Sequence, residues 1–241
     1  MTELTDDEIK NQLERSQRKR KLALEVAEDN DSPPTSALSR RCRETGIYTL
    51  LLGDLDEALN WFGKAADWFE KDWEKTHGKV NEPQVAMWAL FTGVLSQKEK
   101  LIIEIATKII KKGIKYQDPK YYVYLDKCLI NLLLENDEAA LEMAEMLTEL
   151  GPELPKEVGS YPGFGAACRA ILNRDVSEFN VALRDMLNHH DELEEQRAEG
   201  LDHIVVCIPA TVLLLIARDR GLPIEETEAL QSEHVPAELF E

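Results

Sequence analysis

The stretch that decides the fold is LLGDLDEALNWFGKAADWFEKDW, residues 51–73. From Leu55 its apolar residues fall at Leu55, Ala58, Leu59, Phe62, Ala65, Ala66, Phe69 and Trp73, the 3.6-residue period of a single helix face. Gly53 and Asp54 ahead of it read as a turn and an N-cap, since an aspartate oxygen can accept from the orphan N–H groups that open a helix. The segment leading into that turn, CRETGIYTLLL, reads as a helix of its own, so the two make a helical hairpin.

Working outward, similar helix-turn-helix junctions recur as GVLSQKEKLIIEI at Ser96, LLLENDEAALEMA at Asn136 and AILNRDVSEFNVAL at Arg174, spaced 43, 40 and 38 residues from Gly53 onward. A period near 40 with a helix pair in each unit is the signature of a hairpin array, because each pair needs its neighbour to cover its apolar face. No segment alternates as a strand, and no Asn-Gly or Asp-Gly dipeptide joins two such segments. The expectation is an all-α fold, a tetratricopeptide-like or α-solenoid-like array of antiparallel helical hairpins forming one compact domain over 36–241.

Residues 1–30 read as a charged N-terminal helix with a thin apolar edge at Ile9, Leu13, Leu22, Ala23, Val26 and Ala27, ended by NDSPPTS. Two Gly/Pro-rich stretches, Gly151-Pro152-Glu153-Leu154-Pro155 and Gly159 to Gly165, leave little room for regular structure and mark 151–165 as a hinge candidate.

The 241 residues, 44% of them hydrophobic, can bury a sizeable core without metal or disulfide staples. The longest apolar stretch, Ile204 to Ala217, has 14 residues and contains Pro209, too short for a membrane span and fitting a buried helix. With no apolar leader at the N-terminus, the expected location is the cytoplasm. Cys42, Cys128, Cys168 and Cys207 form no C-x-x-C pair and read as reduced thiols in a core. The net charge of −18 repels phosphate backbones, which argues against nucleic acid as a direct partner. That acidity fits steering of a basic protein partner, and equally solubility or a salty cytoplasm.

No catalytic, cofactor or metal signature stands out. Gly159, Gly163 and Gly165 lack the strand and the Lys-Ser/Thr pair of a phosphate loop and read as a connecting turn. His189 and His190, followed by Asp191, Glu192, Glu194 and Glu195, point about 100° apart on a helix and cannot readily share one ion. His203 and Cys207 share a helical face, and packing explains them without chemistry. The run Arg15, Arg18, Lys19, Arg20 and Lys21 sits among Glu14, Glu25 and Glu28 and reads as a solvated face with ion pairs. Trp61, Ala65 and Trp68 form a second apolar edge beside the main stripe, serving either as core or as a binding patch, and Tyr121, Tyr122 and Tyr124 pose the same choice. The candidate partner-binding residues are therefore Trp61, Trp68, Tyr121, Tyr122, His189 and His190.

In the C-terminal third, RDVSEFNVALRDMLNHH is followed by GLDHIVVCIPATVLLLIARDRGLPIEE and then VPAEL. This order resembles the immunity protein 49 family of bacterial polymorphic-toxin systems. The resemblance lies in an F-N-x-A-L helix with a late His, here Phe179, Asn180, Ala182, Leu183 and His190. It continues in Gly200-Leu201 ahead of an apolar helix, in the exit Ile216-Ala217, Gly221 and Pro223, and in the tail Val235-Pro236-Ala237-Glu238-Leu239. Tyr121 to Tyr124 match more weakly, so about half of the chain is covered, while the first 110 residues match poorly and Glu226 to His234 is longer than the usual exit. The resemblance implies a non-catalytic helical protein that binds and blocks a cognate toxin, for which a basic nuclease would suit the charge. It carries over no toxin-contacting residue. A second expectation, from the 40-residue period, is a tetratricopeptide-like scaffold for other proteins.

Overall fold

At four points along this chain a helix ends on a left-handed residue, and the next helix begins two residues later. The computed structural model describes residues 5–28, 35–150, 161–197 and 206–240. Among them it has α1 (Asp6–Glu28), α2 (Thr35–Leu51), α3 (Leu55–Thr76), α4 (Glu82–Leu95), α5 (Glu99–Lys112), α6 (Lys120–Leu133), α7 (Asp137–Leu150), α8 (Phe164–Asn173), α9 (Val176–Arg197) and α10 (Ile208–Asp219). Three short 3-10 turns follow, at Ile224–Glu226, Glu228–Gln231 and Ala237–Leu239. No strand occurs among the described residues.

The expected hairpins are α2/α3, α4/α5, α6/α7 and α8/α9. Their turns carry the left-handed residues Gly53 (φ +82°), Gln97 (φ +52°), Glu135 (φ +57°) and Arg174 (φ +55°). In three of the four the following N–H reaches back five residues, Asp54 to Thr49 O at 3.2 Å, Asn136 to Asn131 O at 2.8 Å and Asp175 to Ala170 O at 2.9 Å. That bond satisfies a carbonyl the helix end leaves orphaned. The same Asp54 and Asp175 then cap the next helix, accepting from the N–H of Glu57 at 3.2 Å and of Glu178 at 2.9 Å. One two-residue device thus closes one helix and opens its antiparallel partner.

Neighbouring units stack α4 on α6 and α6 on α8, and α10 packs against α4, α8 and α9. Every residue of α10 from Ile208 to Ala217 is buried, as expected of that apolar stretch. At about 1.5–3 kcal/mol for each fully buried Val, Leu or Ile, this helix contributes heavily to the core. Where α8 meets α7, a Cβ on Gly165 would lie 2.5 Å from the Ala144 carbonyl oxygen, so only glycine permits that approach.

Polar ties hold the ends of the array. The charged helix α1 lies against α2, with Ile9 buried and the Ser16 hydroxyl within 3.2 Å of both the Arg41 carbonyl and the Thr45 hydroxyl. Lys108 on α5 bridges Glu70 and Glu74 on α3, the latter at 2.9 Å. Glu82, fully buried at the start of α4, accepts from the backbone N–H groups of Gly78, Lys115 and Tyr116 at 2.7–3.2 Å and contacts His77 Nδ1 at 2.7 Å. It pins the α3–α4 turn to the α5–α6 connection. The C-terminal 3-10 segment is held by Asn180, whose amide donates to Glu226 O at 3.3 Å and accepts from Glu228 N–H at 3.1 Å.

All four cysteines are buried free thiols. Burial pushes the Cys42 thiol up to about 11 and the Cys207 thiol up to about 12, so neither is a ready nucleophile. Residues 151–160 of the hinge candidate, together with His203 and Gly200-Leu201, lie outside the described residues.

Candidate partner-binding surface

The hairpin turns α4–α5 and α6–α7 sit beside the C-terminal end of α10 and enclose a groove of about 750 Å³. Its floor is apolar, built from Val94, Ile102, Leu133, Leu134 and Leu215, with Ile103 at the edge still 37% exposed. Its rim is charged. Arg218 is engaged, donating to Gln97 Oε1 at 3.0 Å, to Leu239 O at 3.1 Å and to Asp219 at 3.2 Å, and Arg220 pairs with Asp137. Glu99 and Glu135 are exposed on the same rim and have no ion pair among the described residues. With its arginines neutralised, the rim presents net negative charge to solvent.

The acidic character continues along α7. Glu138, Glu142, Glu145 and Glu149 follow at spacings of four, three and four residues, which puts them on one exposed stripe. The helix contains no lysine or arginine, and none of the four carboxylates has an ion pair among the described residues. Like charges one turn apart cost a few tenths of a kcal/mol each, so this face is a surface on which a cation would be welcome. By contrast, Glu70 and Glu74 of α3 are answered by Lys108 and Lys112.

The six residues singled out from sequence do not converge on one surface. Trp61 is partly buried with Arg20 and Lys64 each 3.8 Å from its ring centroid, and Trp68 carries Lys71 at 4.5 Å. Both rings are thus covered by cations of the same chain rather than offered bare. This also places Arg20 against an aromatic ring, where a wholly solvated basic face was expected; Arg18 with Glu14 at 3.9 Å fits that expectation. A fourth such pair, Arg43 on Trp88 at 3.9 Å, is so desolvated that the guanidinium is pushed down to about 10.

Tyr121 and His190 were expected at a partner-binding surface, but both are buried and neither side chain is offered to solvent. Tyr121 exchanges hydrogen bonds with the backbone of Tyr161, while Tyr122, partly buried, packs edge-on against the Tyr121 ring. His190 stacks on Tyr161, whose hydroxyl lies 3.2 Å from His190 Nδ1, and meets His234 edge-on at 4.8 Å. His234 in turn lies 2.8 Å from Asp191. His189 is half-buried against the edge of Tyr161. A late helical histidine therefore serves to seat the C-terminal segment. No group of three or more His, Cys, Asp or Glu among the described residues is arranged to hold a metal ion.

The groove was missed in the sequence because its walls come from three separate turns, and its apolar residues carry the same helical spacing as the core. Among the described residues no helix is long and apolar enough to cross a membrane. Compared with protein-family models, with curated proteins and with solved structures, the chain matches none.

Proposed function

We propose that this chain is an immunity protein that binds a cognate polymorphic toxin and blocks it without catalysis, in the manner of the immunity protein 49 family. The reading rests on the C-terminal residue pattern, and one observation supports it. Among the described residues, those of the C-terminal pattern on α9, α10 and the closing segment pack against one another. Phe179, Ala182 and Leu183 face the core from α9, Asn180 clamps the C-terminal segment, and His190 packs on His234. Gly221 turns the chain out of α10 with φ +77°, and Val235 and Leu239 return it to the core. That packing fits a pattern of fold-determining residues, which is what the resemblance implies for these positions.

The unpaired carboxylates of the groove rim and of α7 fit a basic toxin, since complementary charge speeds encounter and discriminates against wrong partners. A repeat scaffold needs an open inner face on which to lay a peptide. Here α10 fills the side where α4 and α8 meet it, and that favours the immunity reading over the scaffold reading.

The test is co-expression of the toxin encoded next to this chain, with and without it, in a sensitive host. Rescue of growth that tracks complex formation between the purified proteins is the expected result. Cells killed equally in both cases, with no complex at low salt, would remove the proposal.

A further inference from the structure

The groove between the α4–α5 turn, the α6–α7 turn and the end of α10 combines three properties. It is concave with an apolar floor, it has an exposed isoleucine at its lip, and its unanswered charges are of one sign. Contacts of this kind are made by a side chain that buries an apolar body and is flanked by cations. We propose that this groove is where the toxin docks, and that the docking element is a basic segment that inserts an apolar side chain over Ile102, Ile103 and Leu134 while its lysines or arginines pair with Glu99 and Glu135. The inference rests on the immunity reading and adds the surface and the chemistry of the partner.

Charge complementarity selects this occupant. Arg218 and Arg220 are already held by Gln97, Leu239, Asp219 and Asp137, so an acidic segment would find no free cation on the rim, whereas a basic one meets two exposed carboxylates. The net charge of the whole chain, −18, acts in the same direction. Glu135 adds a local argument. It holds a left-handed backbone conformation that glycine adopts more easily, as Gly53 does at the equivalent turn, and its side chain makes no hydrogen bond or ion pair among the described residues. Gln97, the other left-handed residue of the groove, repays its conformation by bonding Arg218 and the Leu239 carbonyl. The fold gives Glu135 no comparable contact, so its carboxylate is available to a basic partner.

The deciding experiment is isothermal titration of the full-length chain with the purified C-terminal domain of the toxin encoded next to it, at low and at raised salt. Ile103→Arg fills the lip with the wrong charge. Glu99→Lys with Glu135→Lys reverses the rim at two exposed positions and keeps the test intact if the first variant folds poorly by circular dichroism. Each is expected to weaken binding by about tenfold or more, with a shallower salt dependence for the rim variant. Glu142→Lys with Glu145→Lys on α7, an equal change of charge away from the groove, is expected to weaken binding by only about two- to threefold through long-range steering. If the unmodified chain binds and both groove variants bind as well as it does, the groove assignment is overturned and the immunity reading stands. If the α7 variant alone loses binding, the acidic helix face is the docking site and the groove is not. If the unmodified chain neither binds nor protects, both readings fall.

Discussion

The hydroxyl of Tyr121 accepts a hydrogen bond from the Tyr161 N–H at 2.9 Å and lies 3.3 Å from the Tyr161 carbonyl, to which it donates. One phenol thus ties the first turn of α6 to the chain entering α8, 40 residues away, and burial holds its pKa well above the ordinary tyrosine range. Tyr121→Phe leaves a buried N–H without a partner and is expected to cost about 1–3 kcal/mol. Urea unfolding of the variant checks this. An unchanged midpoint would mean that water replaces the phenol at no cost.

Two buried carboxyl groups are displaced in opposite directions. For Glu82 burial raises the pKa, but the N–H groups of Tyr116, Gly78 and Lys115 and the His77 ring outweigh it and bring the carboxyl below its usual range. Its contribution to stability is therefore present above the ordinary glutamate pKa and lost as pH falls through the lowered value. Asp126 is fully buried, neither of its oxygens has a hydrogen-bond partner among the described residues, and burial, with a smaller push from Glu82, raises its pKa well above the normal value. Its cost appears as pH rises above the ordinary aspartate pKa. Glu82→Gln is expected to lose about 2–3 kcal/mol near neutrality and to flatten the acid limb of the stability profile. Asp126→Asn is expected to be more stable than the parent near neutrality, with the gap closing as pH falls. Denaturant melts across the pH range read both slopes, and parallel profiles for parent and variants would refute the assignment.

Arg174 pays for a left-handed backbone at the α8–α9 turn without a glycine. Arg174→Gly is expected to gain about 0.5–1 kcal/mol, the relief of strain being partly offset by the greater freedom of glycine in the unfolded chain. Gly163→Ala acts in the opposite sense. Its φ is +83° and the new Cβ would lie 2.5 Å from the Ala182 carbonyl oxygen, so a loss of about 2 kcal/mol or more is expected. Thermal melts of the pair should move in opposite directions.

The cysteines offer a check on the core that needs no mutation. With all four thiols buried, and those of Cys42, Cys168 and Cys207 pushed up by desolvation, a thiol-reactive dye should label the native chain very slowly and the denatured chain at all four sites. Rapid labelling under native conditions would show that these helices open readily.

The sequence by itself determined the helices and their pairing. The stripe from Leu55 to Trp73 and the recurring junctions at Gly53, Ser96, Asn136 and Arg174 are local matters of period and cap, and local signals survive in one dimension. The burial of Ile208 to Ala217 was legible for the same reason. Only the tertiary structure decided which aromatic residues face outward. Tyr121 and Tyr122 are adjacent in sequence, yet one is buried against Tyr161 and the other is partly exposed. Trp61 and Trp68 lie on the outer edge of their helix, but Arg20 reaches across from α1 to cover the first and Lys71 covers the second. The groove belongs to this second kind. Ile103, Glu135 and Arg218 stand on three elements far apart in the chain, and their joint surface exists only once the packing of α4, α6 and α10 has set the distances between them. A sequence encodes the face of one helix as a period, but it carries no comparable period for the meeting of several.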